Sequence, residues 1–517
     1  MDTEKLKEKI LQLAIQGKLV RQNPDDEPAS VLLDKIETEK QNLIKEKKIK
    51  KQKPIPGILE DEIPFKIPEN WVWCRLGDIG EIYNGNSINS KLKEEKYLGV
   101  KEGYPYIGTK DVYADSITIN YENGVKIPYS ELKNFKIANE GSVLICAEGG
   151  NAGKKIGFLT ENVTFGNKLL NFNGYNNIIN RYVYYVFQSL YFYTYFTEYK
   201  TGIIGGISIN KFKELPIPVP PLSEQKTIVQ KLDDLFILMN NMENDKKKLL
   251  DVINLTRNKV LKLAVQGKLI NQNPDDEPAS VLLDKIETEK QNLIKEKKIK
   301  KQKPIPGILE DEIPFKIPEN WVWCRLGTLV HSFQNGISKR SGKLGQETVV
   351  LRLADIKNNR INLEDTRRIV LDDVELNRYS LNTGDILITR VNGSADIVGS
   401  FTPVENVQDI SYCDHFIRMK LFNEYIYPPY IVLLGKSELV RKKIKNLFIT
   451  TAGQKTVNQT HISSIPVILP PLEEQQRIVQ KVDELMKLCD ELEQNIEKSK
   501  NYSEMLMQSV LQEAFKN

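Results

Sequence analysis

Apolar positions recur at alternating steps of four and three along the stretch that follows Pro221. Ile228, Leu232, Leu235, Met239, Met242, Leu249, Ile253 and Val260 occupy this seam, which Lys246 and Thr256 interrupt. The stretch after Pro471 repeats the pattern with Ile478, Val482, Leu485, Cys489, Leu492, Ile496, Leu506 and Val510, and with Ser499 and Ser503 as weak positions. A 4-3 repeat of this length, with charged residues on the remaining faces, predicts two long helices packed against each other as a coiled coil. The competing arrangement lays each helix on its own domain. Pro221 and Pro471 suit helix entrances. At about 1.5 Å per residue, ~40 residues would span ~60 Å.

Elsewhere the pattern is mixed. Short β-rich runs, Ser142-Val143-Leu144-Ile145 and Asp385-Ile386-Leu387-Ile388, follow Gly141 and Gly384 and are bounded by turn residues. Val350-Leu351-Arg352 parallels Tyr106-Ile107-Gly108, with Asp355 and Asp111 each four places after the leucine or isoleucine. Helices are expected over 181–194 and 428–446. A Lys/Glu-rich helical stretch runs over 28–53, and a proline-framed strand, Leu215 to Pro221, leads into the long helix. These elements place two α+β inserts between helical frames.

The frame is duplicated. Residues 22–77 and 272–327 are identical over 56 positions, at an offset of 250 residues that also separates Pro220-Pro221-Leu222 from Pro470-Pro471-Leu472. The inserts between these anchors have the same length and largely different sequences. Cores tolerate many apolar swaps, so folding does not require letter-for-letter identity; recent duplication or recombination accounts for it. The segment Leu11 to Leu19 matches Leu261 to Leu269, and Leu511 to Phe515 falls in the same register. The N-terminal helix is thus a third copy of a helix end. The expected organisation is an N-terminal helix (1–20), a first domain (21–220), a central long helix (221–267), a second domain (268–470) and a C-terminal long helix (471–517), related by a pseudo-two-fold internal repeat.

Composition narrows the function classes without selecting one. The chain has 517 residues, 40% hydrophobic and 27% charged, with 73 basic and 69 acidic residues and a net charge of +4. That balance requires any basic face to be local. Cys74, Cys146, Cys324, Cys413 and Cys489 are sparse, odd in number and form no CxxC, which disfavours a disulfide framework or zinc site and fits a reducing compartment. The charged start MDTEKLKEKI and the lack of a long apolar run predict a cytoplasmic protein.

Several catalytic-looking motifs fail on chemistry. Tyr427-Pro428-Pro429-Tyr430 resembles an amino-methyltransferase motif, but its first residue lacks the polar acceptor, and no glycine-rich turn for S-adenosylmethionine is present; prolines in a first helical turn explain it. Gly149 to Lys155 misses phosphate-loop spacing and reads as a tight turn exposing Lys154 and Lys155. Pro24-Asp25 with Glu46-Lys47-Lys48 spells a nuclease pattern in a lysine-rich helical stretch rather than on adjacent strands. His331, His415 and His461 all lie in the second half, so no histidine can serve a chemistry common to both. Lys45 to Lys53 holds six lysines in nine residues, repeated at Lys295 to Lys303; a solvated linker and a contact with phosphates or an acidic partner are both open.

Gly17-Lys18-Leu19-Val20, Pro24 to Ala29, Ile67 to Trp73 leading to Leu76-Gly77, and Pro216 to Gln225 resemble, in order and twice, the framework of type I restriction–modification specificity (S) subunits. The likeness covers essentially the whole chain. It implies an α+β fold with two globular α/β target-recognition domains joined by two long antiparallel coiled-coil helices. It implies a DNA-recognition subunit without catalysis or cofactor of its own. Its partners would be double-stranded DNA, two methyltransferase subunits that use S-adenosylmethionine to methylate adenine N6, and ATP- and Mg-dependent restriction subunits. Two differing inserts on one frame independently suit an asymmetric bipartite target with a gap. At ~3.4 Å per base pair, heads a few tens of ångströms apart skip roughly half to one helical turn. The alternatives are a specificity subunit of another restriction class, or a coiled-coil adaptor that never touches DNA.

Base readout needs Arg, Lys, Asn, Gln, Ser or Thr on exposed loops. The first insert offers Asn84, Asn86, Ser87, Lys91, Lys110, Asn151, Lys154 and Lys155. The second offers Gln334, Asn335, Lys339, Arg340, Lys343, Arg352, Arg390 and Asn392. Thr389 to Gly393 aligns with Cys146 to Gly150, so one loop carries different chemistry in the two copies. No catalytic or metal-ligating residue is expected. The exposed faces of 221–267 and 471–515 would dock the partners; Trp71, Trp73, Trp321 and Trp323 suit either interface anchors or burial in the domain core.

Overall fold

The computed structural model describes the chain except residues 1–2, 50, 52–53, 114–118, 176, 202–204, 300–303, 343, 452 and 515–517. It divides into two compact units, 1–246 with 497–517, and 247–496. Both long helices, Leu222–Val265 and Leu472–Ala514, contribute to both units.

Unit 1 holds two four-stranded sheets. One is antiparallel, in the order Gly80–Asn84, Leu169–Gly174, Val143–Cys146, Ile156–Phe158. The other pairs Tyr104–Ile107 in parallel with Val163–Phe165, flanked by Lys126–Ile127 and Ile137–Ala138. Unit 2 follows the same scheme with a four-stranded sheet and a three-stranded one. Val330–Asn335, Phe416–Leu421, Ile386–Thr389 and Phe401–Pro403 form its antiparallel sheet, and Gln346–Leu351 pairs in parallel with Ile410–Tyr412. The strands expected at 142–145 and 385–388 are present one residue later.

The duplicated block makes the same clamp in each unit. Val72–Arg75 pairs antiparallel with Pro216–Val219, as Val322–Arg325 does with Pro466–Leu469. Pro216 and Pro218 are tolerated because this ribbon has only two strands. Trp71 and Trp321 are buried, and each indole N–H donates to a glutamate, Glu224 or Glu474, at 2.8 Å. These tryptophans are core residues. Trp73 and Trp323 are half-buried and pack on Phe65 and Phe315.

The N-terminal helix Thr3–Ile15 buries Ile10, Ala14 and Ile15 in the core of unit 1. Val260, Ala264 and Val265, 250 residues later, do the same in unit 2. Both helices end at a glycine in the left-handed region, Gly17 (φ 69°) and Gly267 (φ 67°).

The seam departs from its expected continuity. Ile228, Leu232 and Met239 are buried in the core of unit 1 along with Phe236, which the heptad omits; Leu235 packs at that core's edge, and Met242 is half-buried. Ile478 and Val482 are buried in the core of unit 2, with Leu485 beside them. Ile253 and Cys489 are buried and Ile496 half-buried. Leu249, Leu492 and Leu506 are instead exposed, at 52%, 55% and 66%. The side chain of Val510 lies outside the described residues. A straight helix drifts ~20° per heptad from a strict 3.5-residue seam, and here the apolar face follows the domain cores at the helix ends. Ion pairs supplement it: Lys246 with Glu497 in unit 1, and Arg257 with Asp490 (2.6 Å) and Glu493 (2.7 Å) in unit 2.

Three boundaries also differ. The Lys/Glu-rich helix ends at Lys45, and its copy at Lys295, because Lys47 and Lys297 turn left-handed (φ 58° and 60°). The helices expected over 181–194 and 428–446 are each two, Asn177–Phe187 with Leu190–Glu198, and Pro428–Lys436 with Glu438–Asn446. Buried Ser189 and Ser437 cap the second member of each pair.

Candidate nucleic-acid interface

The two units build their variable loops on one scaffold. Buried Asp111 and Asp355 close the turn after the parallel strand. Their carboxylates accept from the backbone N–H of Gly108 (2.8 Å) and Arg352 (2.7 Å), and their carbonyls accept from Asn120 and Asn362, both at 2.8 Å. In unit 2 the Arg352 guanidinium also grips Asp355 (2.9 Å) and the Asp365 carbonyl (2.6 Å). Arg352 is thereby a brace with its hydrogen bonds turned inward.

The next loop aligns as the sequence suggests. Ala147 N–H donates to Lys168 O where Arg390 N–H donates to His415 O. Ile207 N–H donates to Ala147 O where Val457 N–H donates to Arg390 O. One backbone position thus carries a buried alanine in unit 1 and a half-buried arginine in unit 2. Among the described residues the Arg390 side chain makes one long bond, to Asp414 O at 3.3 Å, which leaves most of its donors for a ligand.

The remaining unit 1 candidates spread over several environments. Asn84 and Asn86 accept from Lys136, through its ammonium (3.0 Å) and its backbone N–H (2.7 Å). Ser87, Lys91, Lys110, Asn151 and Lys154 are exposed. Lys91 lies 3.8 Å from Glu95, and Lys154 sits 5.8 Å from the Tyr193 ring centroid. Lys155 is half-buried rather than exposed, because its ammonium donates to Thr109 O at 2.9 Å. Lys93, which the sequence did not single out, stands 4.8 Å over the Tyr106 ring. Burial, then the neighbouring Lys110, pushes its pKa down.

In unit 2, Arg340 is exposed, Lys339 pairs with Glu375 (2.8 Å), and Asn335 accepts from Gln459 (2.9 Å). Gln334 donates to the backbone of Asn335, and Asn392 accepts from Ser394 N–H (2.9 Å) in its own turn. Lys343 lies outside the described residues. The structure adds a hairpin at 356–361, Ile356–Lys357 against Arg360–Ile361, with Asn358 and Asn359 at its tip. An Asn-Asn pair between two short apolar-and-basic runs is a turn signal of the kind that marks hairpins. The hairpin tip, Asn392, Ser400 and Arg441 line an open cleft of about 500 Å³.

The decoy motifs have structural roles. Pro428 and Pro429 open a helix behind Tyr427, and buried Tyr430 donates to Ile468 O. Among the described residues, Cys413, Asp414 and His415 bring metal-type donor atoms within 4.8 Å of one another. They are consecutive residues of the turn that receives Arg390, and burial pushes the Cys413 thiol up, away from the thiolate that ligates metals.

A family model described as the type I restriction modification DNA specificity domain matches residues 68–251 and 318–499. The type I restriction enzyme EcoAI specificity subunit of Escherichia coli is 31% identical over 547 residues, covering 96% of this chain and 91% of the relative. The EcoEI specificity subunit of Escherichia coli is 28% identical over 564 residues, with the same coverage of both chains. A chain from a solved structure concerning complex assembly and conformational transition of the type I R-M system matches 87% of this chain and 99% of its own length. Its TM-score is 0.50 at 16% identity, a likeness of fold.

Proposed function

The chain belongs to the type I restriction–modification DNA specificity family, and from that membership we propose how it divides its work. Each target-recognition domain reads one half of an asymmetric bipartite DNA site. The observation that carries this reading is the shared loop scaffold with different chemistry at equivalent positions, Arg390 against Ala147. The long helices act as an antiparallel coiled-coil spacer that sets the gap between half-sites. The duplicated frame offers two equivalent docking faces, each for one methyltransferase subunit that methylates adenine N6. The chain itself performs no catalysis and holds no cofactor: S-adenosylmethionine belongs to the methyltransferase subunits, and ATP with Mg to the restriction subunits that join them. No helix among the described residues is long and apolar enough to cross a membrane.

Co-expression with its methyltransferase subunit in a methylation-free host, followed by sequencing for N6-methyladenine, tests this reading. A split, asymmetric motif with one methylated adenine per half is expected. A co-purifying complex that methylates a continuous or symmetric motif would refute two different readers. Failure to form a complex would favour the adaptor alternative.

A further inference from the structure

The 356–361 hairpin stands out by its backbone. Asn358 and Asn359 have φ of 51° and 58°, the only consecutive non-glycine pair in the left-handed region among the described residues. Two residues in that region favour Asn or Gly, and glycine would relieve the strain most fully. Asparagine retains a carboxamide at both positions, where the turn alone does not require one.

The surroundings give the carboxamides something to do. Lys357 and Arg360 flank the tip and are exposed, and Asn358 is exposed beside half-buried Asn359. The hairpin is held from behind by the Arg352–Asp355 brace, so the tip is presented on a fixed base. Both tip residues line the cleft, with Asn392 on the same lining. At its edge the Arg441 guanidinium donates to the carbonyls of Ala395, Asp396 and Val398, at 3.0–3.1 Å, and keeps one buried nitrogen without a partner. Unit 1 builds this place otherwise: Val112 bridges Ile119, so the connection is longer.

A two-stranded ribbon fits the major groove, and a carboxamide pairs with the N6 and N7 edge of adenine through one acceptor and one donor. Lys357 and Arg360 supply phosphate contacts on either side. We propose that the Asn358–Asn359 tip, together with Asn392, is the adenine-reading element of the second domain. This assignment rests on the proposed reading of a split target and deepens it by naming the base and the residues.

The test uses the full chain with its methyltransferase subunits and duplexes carrying the target found by methylome sequencing. Asn358→Gly with Asn359→Gly keeps the left-handed turn and removes both carboxamides. Asn359→Asp keeps the shape and replaces the donor with an acceptor. Both variants should lose discrimination at one or two adenine positions of the second half-target, roughly tenfold or more in relative affinity, and leave the first half-target unchanged. Substituting 7-deaza-adenine at the affected position should weaken the parent and not the glycine variant, a coupling that a merely structural hairpin would not produce. An unchanged motif in both variants, or equal sensitivity to 7-deaza-adenine, overturns the assignment while the split target stands. A parent that reads no split target removes the underlying proposal, and this assignment with it.

Discussion

Glu62 and Glu312 each accept two hydrogen bonds from a deeply set guanidinium, Arg75 or Arg325, at 2.6–2.9 Å. Those bonds hold each carboxyl down to about 2, against an ordinary 4.5. A depressed carboxylate stabilises the fold above the unfolded pKa, and that stability is lost as pH falls from about 4.5 toward 2. The double variant Glu62→Gln, Glu312→Gln should be less stable at pH 7, by about 2 kcal/mol per site. Its melting temperature should also fall less than the parent's between pH 6 and pH 3. Parallel pH profiles would show that other groups carry the acid limb. Arg390 is the residue-scale prediction for function. Its side chain spends one long bond among the described residues, so Arg390→Ala should cost about 1–3 kcal/mol of binding on the second half-target alone. Equal loss on both halves, or none, measured on duplexes with each half altered in turn, removes it from the reading surface. Arg352 contrasts with it: the sequence gives both as exposed loop arginines, and only the neighbouring carboxylate and carbonyl distinguish brace from reader.

At the scale of elements, two different helices end alike against the duplicated block. Lys18 N–H donates to Leu13 O and Gly17 N–H to Ala14 O; Lys268 and Gly267 repeat this with Leu263 and Ala264. This six-to-one, five-to-two pairing needs a left-handed glycine. A Cβ at Gly17 would lie 2.4 Å from Pro68 Cγ, and at Gly267 2.5 Å from Pro318 Cγ. Gly17→Ala should therefore cost roughly 2 kcal/mol or more through backbone strain and the clash with a rigid ring. In urea unfolding followed by hydrogen exchange, it should lower protection in unit 1 before unit 2, and Gly267→Ala the reverse; a global loss in both would contradict separate clamps. Periodicity located the long helices in the sequence, because 4-3 spacing survives any tertiary context. It did not tell which apolar residues are buried: Leu249 and Leu492 fit the heptad and face solvent, while Phe236 breaks it and is buried. Burial at those points is decided by the domain cores, whose members are distant in sequence. Ser189 and Ser437 were likewise invisible as breaks, since the flanking residues continue a helical pattern and only the buried cap reveals the turn.

For the whole molecule, the relevant fact is how little of the frame depends on which insert it carries. Leu76 N–H donates to Leu215 O and Leu326 N–H to Ile465 O, both at 2.9 Å. Arg75 reaches the Glu214 carbonyl (2.6 Å) as Arg325 reaches that of Ser464 (2.7 Å). These are backbone acceptors, indifferent to the insert's side chains. Among the described residues the frames differ in charged contacts of two kinds: Arg477 with Asp276, whose first-copy position is Thr227, lies within the frame, and Asp233 of the first long helix pairs with Arg181 of the insert at 2.6 Å. The first would stay with the frame, and the second would be lost on exchange of the inserts. The inserts could therefore be exchanged, 78–215 for 328–465, with both junctions preserved. The exchanged chain should fold at the modest cost of the Arg181–Asp233 pair, bind the same methyltransferase subunits, and methylate the same two half-targets in reversed order at an unchanged gap. Methylome sequencing beside the parent reads this directly. A reversed motif means that each insert carries its own specificity and the frame carries only spacing and docking. An unreversed or new motif would mean that base choice depends on frame residues as well, and would shift attention from the Arg390 loop and the Asn358–Asn359 tip to the duplicated block.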